Sequence, residues 1–312
     1  SKDLLVNEPY IDEIVVYSKK TSFFKKIRSL LQERKKNYDL VIDLVYDYIL
    51  ETSIITFFIG KKYRLGFSFG GRDVFYNLSV NIVHTAESFI ELNNKLLEVL
   101  GVKNFVNDLK LTVNKEEELN IRKYFIEIGV KAKQNIFVIH PGGYYKTQQW
   151  AKDKFVELIL QLVKIYDAKI FLIGNMKEVG IIDYIYRKIV SVNSSNKDHV
   201  FKIIDFPLSR LIALINNSTI FIGNNSGPLH IACALRKPTI STMGPTNPYL
   251  WWPVGKDNIV LRRQLPCSPC KRKNCSSHSC LEDIKIEEFI NSINVLMEKL
   301  RLNSKEEKVN EM

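Results

Sequence analysis

The sequence predicts an α/β protein with parallel sheets in two domains. Short apolar runs alternate with longer segments whose apolar residues recur at helical spacing. The connections between successive runs are long enough for helices, which implies right-handed crossovers and parallel strand pairing. The chain has 312 residues, of which 46% are hydrophobic, so it exceeds one typical core and suffices for two domains.

In the first part of the chain, the sequence pattern predicts strands that alternate with helices. Apolar residues at helical spacing indicate the first helix, and Gly60 and Gly101 end the next two. The polar stretch Asn107–Asn114 predicts the boundary between a first domain over residues 1–112 and a second over 113–302. In chain order the predicted elements are strand Glu13–Val16, helix Ser22–Arg34, strand Asp39–Leu44, helix Ile49–Ile59, strand Tyr63–Gly66 and helix Thr85–Leu100.

The second domain predicts a larger parallel sheet. Its strands are expected at Ile136–His140, Lys169–Ile173, Val200–Ile204, Thr219–Ile222, Thr239–Thr242 and Asn258–Leu261. Its helices are expected at Lys115–Gly129, Trp150–Tyr166, Glu178–Ser191, Pro207–Asn216 and, at the end, Asp283–Leu302. The charged residues 303–312 predict a disordered tail.

Polar residues and glycines follow five successive strands of this second sheet, in the sequences PGGYYK, GNMKE, DFP, GNNSGP and GPTNP. The carboxyl ends of parallel strands lie on one edge, where ligands bind in open α/β sheets. The convergence predicts a site for a nucleotide-like ligand. The alternative is that exposed loops are polar by chance.

The most informative of these segments is Phe221–Pro248, which reads as one strand–helix–strand unit. Ser226 is a suitable N-cap and Pro228 fits the first helical turn. The start of the helix therefore offers backbone N–H groups and partial positive charge to an anion, with His230 as a further donor. An ordinary capped crossover is the alternative. The chain lacks GxGxxG and GxxxxGK[ST], which argues against a conventional NAD-binding domain or a P-loop NTPase.

The chain is basic, with 45 Lys and Arg against 34 Asp and Glu and a net charge of +11. This charge favours anionic partners such as nucleotides, phosphorylated sugars, an anionic membrane surface or nucleic acid, although a generally lysine-rich surface explains it equally well. The most apolar window, Leu40–Gly60, is interrupted by acidic residues, and no signal peptide is visible. We expect a cytoplasmic protein whose membrane contact is at most peripheral, at the inner face.

Four of the five cysteines lie close together, as Cys267, Cys270, Cys275 and Cys280. Their spacing resembles a zinc knuckle with cysteine at the usual histidine position, and four thiolates can complete a tetrahedral zinc site. Three interpretations stay open: a structural zinc site, reduced or oxidisable thiols in a loop, and a nucleic-acid-binding knuckle. Nucleic acid is the least favoured partner because the loop lacks the aromatic residues that such modules use for stacking.

Together these motifs resemble glycosyltransferase family 9, the bacterial ADP-heptose:lipopolysaccharide heptosyltransferases and their relatives. HPGGYYKTQQW is similar to the family's Pro-Gly…Lys…Trp-Pro loop, and FLIGNMKE to its Gly-Asn…Glu segment. NNSGPLHIACALRKPTISTMGPTNP resembles the family's Asp-Ser/Thr-Gly…His…Gly-Pro-Thr-Asp-Pro core. The cysteine-rich segment and YDLVIDLVYD…YRLGF resemble further family patterns, so the resemblance covers nearly the whole chain.

The resemblance implies a GT-B fold of two facing Rossmann-like domains, with the acceptor in the first and the donor in the second. It also implies a terminal helix that crosses back to the first domain. The implied reaction is inverting, metal-independent transfer of a heptose-like sugar from an ADP-sugar to a lipopolysaccharide-core or other cell-surface glycan. A helix N-terminus, a lysine and a histidine can stabilise a leaving nucleoside diphosphate without a metal cofactor.

The resemblance also implies roles for particular residues. Asn225 would lie near the donor sugar, Glu178 would bind the ribose, and Phe206 would face the adenine. The residues implied around the diphosphate are Gly142, Gly143, Lys146, Ser226, Gly227, Pro228, Leu229 and His230.

The chain departs from the family pattern in two ways. Asn225 stands where the family usually has aspartate, which keeps hydrogen bonding but removes the charge. The match begins late, near Leu4–Val16, so we expect an incomplete acceptor-side domain without the strand–loop–helix that carries the family's general base. We interpret Asp12, Asp43 and Asp47 as helix or loop acids and name no catalytic base. A nucleotide-binding remnant without catalysis is therefore an alternative to the enzyme, and a zinc-knuckle nucleic-acid binder is a third reading.

Overall fold

The computed structural model describes residues 2–18, 22–82, 87–270 and 272–310, with side chains described as far as 303. The chain divides into two compact units, one over Glu13–Asn107 and one that joins Ser1–Asp12 to Asp108–Met312. The first residues, which include helix α1 (Lys2–Leu5), were predicted within the first domain. They join the larger unit because the Glu8 carboxylate accepts hydrogen bonds from the backbone N–H and the hydroxyl of Thr112, at 2.8 and 3.3 Å.

The smaller unit contains a three-stranded parallel sheet in the order β1-β2-β3. The predicted strand at Glu13–Val16 is wrong: these residues are irregular, and β1 pairs with β2 alone. Strand β3 was not predicted, since four residues give too short an alternation to recognise. The elements are α2 (Phe23–Lys35), β1 (Leu40–Ile42), α3 (Leu50–Ile59), β2 (Tyr63–Ser68), β3 (Leu78–Asn81) and α4 (Phe89–Val99).

Helix α4 starts later than predicted. Thr85 lies outside the described residues. Ser88 caps the helix, because its hydroxyl accepts the Glu91 N–H while the Glu91 carboxylate accepts the Ser88 N–H, at 3.2 and 2.7 Å. This reciprocal pair is a capping box, which satisfies two backbone donors at the helix start.

A buried ion pair organises the loop after β1. The side chains of Arg72 and Asp43 are 0% and 2% exposed, and Nη2 of the arginine lies 2.6 Å from Oδ2 of the aspartate. The Tyr76 hydroxyl donates to the same carboxylate oxygen at 2.7 Å. Nη1 of Arg72 donates to the carbonyl oxygens of Val45 and Asp47, each at 2.7 Å. Asp43 is therefore a structural acid of this loop, in agreement with its interpretation from the sequence.

The larger unit contains a six-stranded parallel sheet in the order β6-β5-β4-β7-β8-β9. Its strands are β4 (Ile136–His140), β5 (Lys169–Gly174), β6 (Val200–Ile204), β7 (Ile220–Asn224), β8 (Thr239–Thr242) and β9 (Asn258–Leu261). The chain builds outward from β4 to β6 and then returns to β7 on the other side of β4. The strand order thus reverses between β4 and β7, which is the position where open α/β sheets form a ligand crevice.

Helices cover both faces of this sheet. One apolar cluster packs α6, α7 and α12 on one face, and a second packs α5, α8 and α9 on the other. The helix bounds are α5 (Lys115–Glu127), α6 (Lys152–Tyr166), α7 (Val179–Val192), α8 (Leu208–Asn216), α9 (Gly227–Ala234), α10 (Pro248–Trp251), α11 (Ser279–Glu282) and α12 (Ile286–Asn310).

The terminal helix is longer than predicted. Helix α12 continues past Leu302 to Asn310, so the predicted tail is helical over most of its length. The reason is composition: this stretch lacks glycine and proline and is rich in Glu and Lys, which favour helix. Helix α12 packs on α6, β8 and β9, and its crossing to the first domain stays a prediction. Within the ranges that the structure describes, every helix is too short or too polar to cross a membrane.

Candidate functional site

A cavity of about 1180 Å³ lies at the carboxyl edge of the six-stranded sheet. Residues that follow β4, β5, β6, β7 and β8 line it, so the predicted convergence of five strand ends is confirmed. The cavity lies at the β4/β7 switch point, the expected position for a ligand in this architecture.

All but two of the residues predicted for the donor site line this cavity. Leu229 does not, because its side chain is fully buried in the apolar core and its N–H donates to the Ser226 carbonyl at 3.1 Å. Gly142 is buried and does not line the cavity either. The residues that do line it are Gly143, Lys146, Glu178, Phe206, Asn225, Ser226, Gly227, Pro228 and His230.

A histidine that the sequence analysis missed connects two parts of the site. His140 ends β4 and is 4% exposed. Its Nδ1 lies 2.9 Å from the Ser226 hydroxyl, and its Nε2 lies 3.3 Å from Oε1 of Glu178. One imidazole thus joins a residue predicted for the diphosphate to one predicted for the ribose. The sequence signal was a polar residue at the end of an apolar strand, directly before Pro-Gly-Gly.

The Glu178 carboxylate is held by several donors. It accepts the Gly143 N–H at 3.1 Å and the backbone and side-chain N–H groups of Asn175 at 3.0 and 2.7 Å. Burial raises the pKa of this carboxyl, but hydrogen bonding and charge from His140 and the backbone donors outweigh burial and hold the pKa below its usual value. Glu178 is therefore ionised at neutral pH and suited to accept hydroxyl donors from a ligand.

Gly142 makes room for this carboxylate. A Cβ atom at this position would lie 1.9 Å from Oε1 of Glu178 and 2.9 Å from Nε2 of His140. Such distances are far below van der Waals contact, so a side chain fits at this position only if the Glu178 carboxylate moves away. The glycine is thus required by the close approach of Glu178 to the backbone of the loop after β4.

The start of α9 differs in detail from the prediction. Ser226 occupies the N-cap position, but its hydroxyl donates to the Asn224 carbonyl at 3.2 Å and faces His140, and it does not cap the helix. Pro228 has no N–H, and that of Leu229 is used within the turn. The first turn therefore offers an anion fewer backbone donors than the sequence predicts. The surrounding side chains must supply the remaining hydrogen-bond donors.

Two of these side chains are His230 and Lys146. His230 is half-buried with its ring 5.8 Å from that of Trp251, and burial lowers its pKa. Its imidazole is therefore neutral at neutral pH and can form hydrogen bonds without adding charge. Lys146 is exposed in a 3-10 turn over Lys146–Gln148 and brings a positive charge to the cavity wall.

Phe206 and Asn225 occupy opposite sides of the β4/β7 switch. Phe206 follows β6 and is half-buried, with the Arg210 guanidinium 5.7 Å from its ring centre. Asn225 follows β7 and is 8% exposed, and its Nδ2 donates to the Trp251 carbonyl at 3.0 Å. The site thus combines an aromatic wall on one side with a neutral amide on the other.

The cysteine-rich loop lies against the turn that carries Lys146. The Thr147 hydroxyl donates to the Arg272 carbonyl at 2.7 Å, and Nε2 of His278 lies 2.8 Å from the Thr147 carbonyl. Burial raises the pKa of the Cys280 thiol, whereas the His278 N–H lowers that of Cys275.

The four clustered cysteines are among the residues that line a cavity of about 20 Å³, and they are unpaired thiols. Among the residues with described positions, no three His, Cys, Asp or Glu side chains are grouped closely enough to hold a metal ion. Zinc at Cys267, Cys270, Cys275 and Cys280 therefore stays a prediction from their spacing.

Comparison with known proteins gives a consistent result. The family model for glycosyltransferase family 9 (heptosyltransferase) matches residues 25–281. Lipopolysaccharide heptosyltransferase 1 of Campylobacter coli is 28% identical over 262 residues, which are 79% of this chain and 73% of that protein. Lipopolysaccharide heptosyltransferase 3 of Escherichia coli K12 is 26% identical over 269 residues, 82% of this chain and 74% of that protein.

Solved structures agree in fold. A family 9 glycosyltransferase from Veillonella parvula superposes with a TM-score of 0.78 at 18% identity, over 96% of this chain and 86% of that one. E. coli ADP-heptose LPS heptosyltransferase II superposes with a TM-score of 0.71, also at 18% identity, over 88% and 81% of the two chains. At this identity the likeness shows the fold, and it confirms the predicted GT-B class.

Proposed function

Because this chain belongs to glycosyltransferase family 9, the heptosyltransferase family, we propose that it transfers a heptose-like sugar from an ADP-sugar to a lipopolysaccharide-core or other cell-surface glycan acceptor. The proposal includes inversion at the sugar and no metal ion in catalysis. The observation that carries it is the convergence of Lys146, Ser226, Glu178 and Phe206 on one cavity at the β4/β7 switch point. The names of the relatives support the choice of sugar and acceptor.

The cavity residues have distinct roles in this proposal. Glu178 accepts hydrogen bonds from the ribose hydroxyls, and Phe206 packs on the adenine. When the bond between the sugar and the diphosphate breaks, charge grows on the leaving oxygens. Lys146 stabilises it, together with Ser226, whose hydroxyl would turn from the Asn224 carbonyl to the phosphate. Asn225 hydrogen-bonds the transferred sugar. We name no residue of this chain as the general base that accepts the proton of the attacking acceptor hydroxyl.

Calorimetric titration with ADP and then UDP tests the donor site. We expect micromolar ADP binding, weaker UDP binding, and about tenfold to hundredfold weaker ADP binding in Lys146→Ala, since a charge-assisted hydrogen bond contributes roughly 1.5–3 kcal/mol. Lys164→Ala, an exposed lysine on α6, is the matched control and should bind as wild type. A folded chain that binds neither nucleotide contradicts the proposal. ADP binding without ADP release from ADP-heptose and acceptor would instead identify a nucleotide-binding remnant.

We also propose that the protein is cytoplasmic and contacts the membrane peripherally. Helix α2 supports this membrane contact. Every residue of α2 is described, and none is buried. Phe23 and Phe24 are 69% and 82% exposed, and the basic residues Lys25, Lys26 and Arg28 lie within the next four positions. Exposed aromatic rings among basic residues are typical of helices that bind at the surface of anionic lipid.

Replacing both Phe23 and Phe24 with serine should therefore weaken binding to vesicles of phosphatidylglycerol about tenfold, because the helix loses the apolar groups that insert among the lipids. Vesicle sedimentation measures this, with phosphatidylcholine vesicles for comparison. Val295→Ser removes an apolar residue that is 62% exposed on α12 and should have no effect. Equal binding of wild type to both lipids, or unchanged binding of the double variant, would show that α2 is not a membrane element.

A further inference from the structure

A second residue missed from the sequence, Asn224, lies fully buried at the carboxyl end of β7. Its Nδ2 donates to the carbonyl oxygens of Pro141 and Gly142 at 2.9 and 2.8 Å. Its Oδ1 accepts the backbone N–H of Trp150 at 2.9 Å and the hydroxyl of Thr242 at 2.8 Å. The amide group thus makes four hydrogen bonds, two as donor and two as acceptor, which is its full capacity.

Three of these partners, Pro141, Gly142 and Trp150, lie at the two ends of one loop. This loop, residues 141–150, lies between β4 and α6 and carries Gly143 and Lys146 on the cavity wall. Asn224 holds the first two carbonyls of this loop and its last N–H, and through Thr242 it ties them to β8. A buried polar group that loses its partners is costly, so the loop is strongly held in this one position.

The two donated and two accepted hydrogen bonds require an amide side chain at position 224. An aspartate has the same shape and keeps both acceptors, but it offers no donor to the two carbonyls and would face them with a charged oxygen. An aliphatic residue would leave two carbonyls and one N–H buried without partners. Asn224 is absent from the cavity lining, so its effect on a ligand must pass through the loop.

We propose that Asn224 is a positioning residue of the donor site, which fixes the 141–150 loop so that Gly143 and Lys146 meet the phosphates of the nucleotide. The inference rests on the proposed function, because it takes the cavity to be the nucleotide site. A displacement of about 1 Å in such a group is enough to lower binding or rate strongly.

The first test is ADP titration of Asn224→Asp at a temperature where the variant is folded. We expect the dissociation constant to rise about tenfold or more, since the loop carbonyls are repelled. Asn196→Asp is the matched control: Asn196 is also buried and donates through Nδ2 to the Ile189 carbonyl at 3.1 Å, but it lies before β6, at the opposite edge of the sheet. It should lose thermal stability and keep its ADP affinity. Equal ADP affinity of Asn224→Asp and wild type overturns the inference.

The second test asks whether Asn224 acts through Lys146. In a double-mutant cycle, Lys146→Ala should weaken ADP binding less in the Asn224→Asp background than in wild type, because the lysine is already misplaced. A merely structural role gives independent effects, and such additivity overturns the inference.

A milder variant serves if Asn224→Asp does not fold. Thr242→Val removes one hydrogen bond to Oδ1 and leaves both loop carbonyls bonded, so it should fold and weaken ADP binding about threefold to fivefold. Unchanged ADP affinity in this variant counts against the inference. A wild-type chain that fails to bind ADP overturns the proposed function itself, whereas wild-type binding with unaffected variants overturns the role of Asn224 alone.

Discussion

Replacing Arg72 with methionine is expected to destabilise the unit Glu13–Asn107 by about 3–5 kcal/mol. The Asp43 carboxylate is 2% exposed and would lose its ionic partner at 2.6 Å, and only the Tyr76 hydroxyl would still donate to the same oxygen. The carbonyls of Val45 and Asp47 would also lose their donors. Methionine restores much of the volume but none of these bonds, so the cost is that of an uncompensated buried charge.

Amide hydrogen exchange of β2 measures the loss, because this strand pairs with the other two strands of the smaller sheet and should exchange mainly by opening of the unit. The control is Lys62→Met, which removes an exposed lysine 3.2 Å from Asp39 in the same unit and should cost less than about 1 kcal/mol. A second variant, Arg72→Met with Asp43→Asn, should recover part of the stability. Equal losses in Arg72→Met and Lys62→Met would mean that the buried pair contributes no more than a surface pair.

The sequence predicts the larger unit better than the smaller one, and burial explains the difference. Strands β4, β6, β8 and β9 have the predicted bounds because each is a short run rich in apolar and β-branched residues between turn residues. In the smaller unit β1 is an edge strand of half-buried residues, and Glu13–Val16 has a strand-like pattern but pairs with no described strand. Pattern alone does not tell whether a partner strand exists.

The candidate site likewise contains residues that could be predicted from the sequence and residues that could not. Residues that line the cavity could be predicted because they follow strand ends, and topology alone places those ends together. His140 and Asn224 could not, because their roles depend on which loop atoms lie opposite them after β4 and β7 pair. Ser226 shows the limit most clearly: its position as N-cap was predicted, yet its hydroxyl bonds elsewhere once His140 lies 2.9 Å away.

Gly142→Ala is expected to weaken ADP binding about a hundredfold in a chain that still folds. The added methyl group would lie 1.9 Å from Oε1 of Glu178, so the carboxylate must leave the wall of the cavity. Its bond from the Gly143 N–H and its contact with His140 would be lost, and with them the predicted acceptor for the ribose. Loss of two hydrogen bonds from the ribose hydroxyls to this charged group, at roughly 1.5 kcal/mol each, accounts for an effect of this size.

The comparison that isolates this steric cause is Gly180→Ala. Gly180 lies on α7, and a Cβ there meets nothing within 4 Å, so the variant should bind ADP normally and gain about 0.4–1 kcal/mol in stability. Adding Glu178→Ala to Gly142→Ala removes the clash, and thermal stability should recover while ADP affinity stays low. If the double variant regains both, Glu178 acts only as an obstacle and does not bind the ribose. If Gly142→Ala alone binds ADP like wild type, the carboxylate contributes nothing at this position, and the nucleoside must be held by the aromatic wall at Phe206.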